Sequence, residues 1–260
     1  VVDGTEGIDN GSVRAEIAAL LERDETRLGD VYKLTRENKS PAEIAEALGV
    51  ATSGFVSNYR AILSALLDGE MPSSTTIAGQ IASRVRTWLK RTELSAEAQQ
   101  YLDDLQSRLQ LRSEDSVARS IEDENARNQT DVVERQNIPG IYVYTLPHYL
   151  RYPFDVDSGR TLLKVGRSER DTFARVSGQT RITALPEDPI LLRVYQVDPG
   201  QSAEVEKDFH GWLDDANHDR SRSLRGGTEW FLTSTRFLDR IARTRSLTQI
   251  VVNDYEAGDL

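Results

Sequence analysis

The sequence predicts a two-domain chain, an all-α front followed by an α/β back built on a small, mainly antiparallel three-stranded sheet flanked by helices. Two observations carry this. From residue 12 to about 135 apolar side chains recur at spacings of three and four, as in helices that bury one stripe. From 137 onward the period drops to two in short runs rich in β-branched and aromatic residues, "GIYVYTL", "TLLKVG" and "ILLRVYQVD", bounded by Gly, Pro and Asp. The length of 260 residues suits two modest cores, since domains average about 100–200 residues.

Taken in order, residues 1–11 hold three glycines among small and acidic residues and read as a disordered start. A helical domain is expected over 12–92, from "SVRAEIAALLERD", "ETRLGDVYKLTREN", "SPAEIAEALG", "TSGFVSNYRAILSALLDG" and a further helix at 74–91. An acidic helical linker follows over 93–136, with helices at 95–110 and 113–135. The back domain, 137–260, adds helices at 170–179, 202–215 and 235–244 to its strands.

Charge excludes little once it is divided. The chain carries 32 basic and 42 acidic residues, a net of −10. Residues 136–260 hold 16 basic and 18 acidic side chains, whereas 93–135 alone hold 5 and 11. The acidity sits in the linker, so basic stretches such as "RVRTWLKR" at 84–91 can still meet phosphates. With no cysteine and three scattered histidines, disulfides, thiolate zinc sites and a histidine cage are excluded. Any metal must then take oxygen ligands, which favours Mg²⁺ or Mn²⁺. No apolar run nears the roughly 18 residues of a membrane span, and a cytoplasmic location is expected.

Within the helical front, "SPAEIAEALGVATSGFVSNYRAIL" resembles a helix-turn-helix. Ala45 is small where two helices cross, Gly49 can take the left-handed turn, and Ile44, Leu48, Val50 and Phe55 fall on the inner faces. The second helix would then present Thr52, Ser53, Ser57, Asn58 and Arg60 to DNA phosphates and base edges.

In the back half, alternation puts Tyr142 and Tyr144 on one face of the first strand. A hairpin with aligned apolar faces brings Lys164 of the next strand to that same face. On the helix at 202–215, Val205, Phe209 and Trp212 supply the buried stripe, which leaves Glu206 and His210 stacked on a flanking face and Glu204 elsewhere.

The order "GIY", a strand ending "KVG", Arg175 on a following helix, "VEKDFH" and "GGTEWF" resembles the GIY-YIG nuclease superfamily, closest to its phage-type branch, over about 138–245. Lys164 stands where that family's second tripeptide carries tyrosine, and no asparagine matches the one that closes the site in repair-type members. The resemblance implies a metal-dependent DNA endonuclease of the kind used in restriction, phage defence or mobile elements. In it Glu206 would hold Mg²⁺ or Mn²⁺, Arg175 would clamp a phosphate oxygen, and Tyr142 would act as general base. Lys164 would lower the phenol pKa or contact the phosphate, and His210 would orient the glutamate or a water. Glu229 is a second ligand candidate. Two alternatives stand beside this reading: a DNA-binding regulator whose degenerate fold has lost turnover, and an RNA nuclease.

Overall fold

A computed structural model of the chain describes residues 10–155, 158–168, 187–218 and 229–259. Residues 1–9 of the expected disordered start and the helix expected at 170–179 lie outside them. Seven helices come first: α1 (Asn10–Arg23), α2 (Arg27–Arg36), α3 (Pro41–Leu48), α4 (Gly54–Asp68), α5 (Thr75–Arg91), α6 (Ala96–Ser113) and α7 (Ser116–Glu134). Their starts are encoded locally. Ser40 and Glu43 form a reciprocal capping box with Pro41 at the first helical position, and Ser74, Ser95 and Asp115 each accept a backbone N–H three residues on. Gly49 ends α3 at φ 62°, and Ile44, Ala45, Val50 and Phe55 are buried as the helix-turn-helix reading expects. One apolar core unites α1 to α6, including Ile17, Leu21, Phe55, Leu66, Ile81 and Leu105.

The back half holds β1 (Gly140–Thr145), α8 (Pro147–Arg151), β2 (Thr161–Ser168), β3 (Ile190–Gln196), α9 (Ser202–Asp215), β4 (Trp230–Thr233), α10 (Thr235–Thr244) and β5 (Thr248–Val251). The sheet has five strands, not the expected three. Its order is β4-β2-β1-β3-β5, and every neighbouring pair is antiparallel. The two additional strands are the edges, each four residues long and too short for alternation to stand out. The short helix α8 was also missed, although Leu146-Pro147 carries the signal of proline at a helix start.

One sheet face, with Ile141, Val143, Leu163, Val165 and Phe231, packs on Val205, Phe209 and Leu213 of α9 and on Leu238 and Ile241 of α10. The other carries Tyr142, Tyr144, Leu191 and Val194 against Val133 of α7, Ile138 and Val252.

The two halves are joined through the C-terminal residues 253–259. Glu256 accepts from Arg27 of α2 and from Arg193 of β3, each at 2.6 Å, and its side chain is 8% exposed. Arg193 also lies 3.5 Å from Asp239 of α10, which accepts the Tyr195 hydroxyl. Gln80 of α5 donates to the carbonyls of Leu150 and Glu256, and Asn253 donates to those of Ala126 and Leu191. Buried charges in such a cluster are costly alone and tolerable only together. Arg84, expected on a basic surface, is likewise internal, paired with Asp24 and buried.

Candidate active site

Among the described residues β4 pairs with β2 along residues 161–164, and residues 219–228, which lead into β4, lie outside them. The Val165 N–H still donates to the Glu229 carbonyl at 2.8 Å. Then α9 closes in, with His210 Nε2 at 2.9 Å from the Val165 carbonyl. A carbonyl can only accept, so the proton is on Nε2, and a neutral ring keeps its lone pair on Nδ1. One turn back, Glu206 accepts the Arg167 N–H on one oxygen and faces the Arg167 guanidinium with the other, both at 3.2 Å. On the opposite face of β2, Lys164 Nζ lies 3.3 Å from Glu229 Oε2. Gly166 lies beside the same carboxylate, with which a Cβ would make van der Waals contact at 3.4 Å.

Two cation–carboxylate pairs therefore flank residues 164–168. Their side chains are between 19% and 40% exposed, so each pair is partly screened and weakly held.

Glu206, His210 and Lys164 thus converge on one strand segment. Arg175 lies outside the described residues. Tyr142 stands apart: it is 2% exposed, its hydroxyl donates to the Ile138 carbonyl at 2.7 Å, and its ring stacks on Tyr144 with centroids 6.2 Å apart. It shares a face with Lys164, as the hairpin argument requires, but its partner across the strands is Gly166, while Lys164 stands opposite Tyr144. The Tyr144 hydroxyl donates to Glu134 at 2.7 Å, and burial together with that carboxylate pushes its phenol far above the usual range. Tyr142 and Glu206 approach the sheet from opposite faces, so the phenol and the carboxylate are not brought together.

Sequence reasoning missed Arg167. It follows Leu163 and Val165 at the strand's period of two, and a cation ending an apolar face was the available signal. On the helical half, Thr52, Ser53, Ser57 and Arg60 are exposed at the start of α4. Asn58 is engaged instead, donating to the Asp254 carbonyl at 2.6 Å, and the Asp254 carboxylate lies against Gly54.

Among the described residues no group of three His, Asp or Glu side chains is gathered as a metal cage, and no helix is long and apolar enough to cross a membrane. No curated protein and no solved structure matches the chain. The GIY-YIG assignment is overturned by the family comparison, which reports a different family for the same stretch of β1 to α10. Residues 140–246, comprising the whole β2 edge and its flanking α9, match the model of the T5orf172 domain.

Proposed function

We propose that the chain is a divalent-cation-dependent endonuclease that hydrolyses phosphodiester bonds of DNA beside residues 164–168 of β2. The observation that carries this is the pair of partly exposed cation–carboxylate contacts around residues 164–168, beside His210, whose Nε2 is held by the Val165 carbonyl. The matched T5orf172 domain is endonuclease-like, which supports the same reading.

Mg²⁺ and Mn²⁺ sites in phosphate chemistry take one or two carboxylates and fill the rest with water and substrate oxygens. Glu206 fits as the single protein ligand of such an ion, which when bound would neutralise phosphate charge and stabilise the leaving oxygen. The chain's own residues supply the rest. Arg167, released from Glu206, presents a planar fork to a non-bridging oxygen, and Lys164, released from Glu229, adds a point charge on the other side of β2. Nδ1 of His210 can accept a proton from an attacking water. The exposed Thr52, Ser53, Ser57 and Arg60 of the helical half would contact DNA, with Asn58 held back by the Asp254 carbonyl.

The test is supercoiled plasmid incubated with the full chain, with Mg²⁺, with Mn²⁺ and with chelator. Nicked and linear products in metal alone are expected, lost in Glu206→Gln at unchanged thermal stability. A parent protein that leaves the plasmid intact in both metals refutes the proposal. That outcome, joined to retained DNA binding, would support the second reading, a binding protein without turnover, which the burial of Tyr142 favours.

A further inference from the structure

At the far edge of the sheet from the β2 site, a cleft of about 460 Å³ opens between the start of α4, the outer face of α7 and the residues after β5. Its walls include Thr52 and Asn58 from α4, Asn125 and Gln129 from α7, and Asp254 and Tyr255 from the C-terminal residues. Asn125 and Gln129 are four apart and so project from one face of α7. Tyr255 is fixed, because its hydroxyl donates to Glu122 at 2.6 Å and Glu122 is itself held by Ser74 and Thr75. Asp254 is different. Its backbone carbonyl serves Asn58, but among the described residues no group hydrogen-bonds its carboxylate.

The chemistry of these walls selects a ligand. No lysine or arginine lines the cleft, so a phosphate would meet carboxylates with nothing to offset them. An apolar ligand would leave the amides of Asn125 and Gln129 and the Asp254 carboxylate without partners from it. A flat group with an exocyclic amine next to a ring acceptor suits them: the carboxylate accepts from the amine, and the Asn125 or Gln129 amide pairs with adjacent donor and acceptor. The volume lies within the range of small-ligand pockets and admits a base with its sugar.

We infer that this cleft takes an unpaired nucleobase bearing an exocyclic amine from the nucleic acid cut at the β2 edge. The inference rests on the nucleic-acid reading above and deepens it, for it makes the substrate one with a single-stranded or extruded base. Burial raises the Asp254 carboxyl above its usual range, in keeping with a group that gains from a donor partner.

The experiment uses the Glu206→Gln chain with fluorescently labelled ten-residue oligonucleotides of deoxyadenosine, deoxycytidine and deoxythymidine, read by anisotropy in chelator. The adenine and cytosine strands are expected to bind at least tenfold tighter than the thymine strand, since thymine lacks the amine. Asp254→Asn and, separately, Asn125→Ala with Gln129→Ala should each erase most of that preference while leaving thymine binding within about twofold. Asn125 and Gln129 are exposed, so the double variant tests the cleft without disturbing the core. Equal affinity for all three strands, or a preference untouched by both variants, overturns the inference, as does saturation of the cleft by arginine amide with no base preference. Plasmid cleavage without base preference would sink this inference alone, and base preference without cleavage would sink only the nuclease reading.

Discussion

Acid should destabilise this protein through one residue, His218. Its ring is 4% exposed, stacks on Phe237 with centroids 4.0 Å apart, and shares a 2.7 Å hydrogen bond with Thr233 Oγ1 of β4. Burial, helped by the positive charge of Arg160, brings its pKa down to about 4 from the ordinary 6.5. The folded state therefore favours the neutral ring. Its contribution is fully present above pH 6.5, because neither state binds the proton there, and is lost as pH falls from 6.5 towards 4, where only the unfolded chain is protonated. At about 1.4 kcal/mol per unit, the loss between pH 7 and pH 5 is about 2 kcal/mol. With a urea slope of about 2 kcal/mol per molar, the midpoint should move down by about 1 M. Burial also raises the carboxyls of Glu134, Asp254 and Glu256, so the decisive quantity is the difference between the parent and His218→Gln, measured by urea unfolding at pH 7, 6 and 5. The variant, with no titrating ring, should lack this part of the decline. Parallel midpoint curves for the two proteins would refute the reasoning.

Glu256→Gln leaves Arg27 and Arg193 buried against a neutral amide, and a loss of about 3–5 kcal/mol is expected in urea unfolding; a loss below about 1 kcal/mol would mean that the cluster is better solvated than its burial implies. Tyr142→Phe removes the hydroxyl bond to Ile138 and should cost about 1 kcal/mol of stability while plasmid cleavage stays within a few-fold of the parent. Abolished cleavage at that small stability cost would restore a chemical role to the phenol.

Much of this fold was legible because its signals are local. The helix expected at 202–215 is α9 residue for residue, since its apolar spacing and its bounds are written within fourteen residues. The turn at Gly49 and the capping box at Ser40 were readable for the same reason. Strand alternation also placed Lys164 on the tyrosine face. What alternation could not give was the register, which sets Lys164 opposite Tyr144 and leaves Tyr142 to bond a backbone carbonyl. Nor could it reveal that α9 sets His210 against the Val165 carbonyl and Glu206 against Arg167. Residues 253–259 show no period and no cap. Their order comes from hydrogen bonds to Thr235, 21 and 22 positions away, and from ion pairs and amide contacts with residues 60 or more positions away, so nothing in the local sequence announces it.

That last arrangement bears on how the chain reaches its folded state. The Arg27–Glu256 contact spans 229 positions, and the loop it closes contains the entire sheet. Long-range closures are entropically late events, and they slow folding in proportion to how much of the structure depends on them. Here both the second helix and the third strand keep a buried guanidinium waiting for the same carboxylate. Arg193 has Asp239 within its own half, so it is Arg27 of the helical half whose buried charge depends most on the arrival of Glu256.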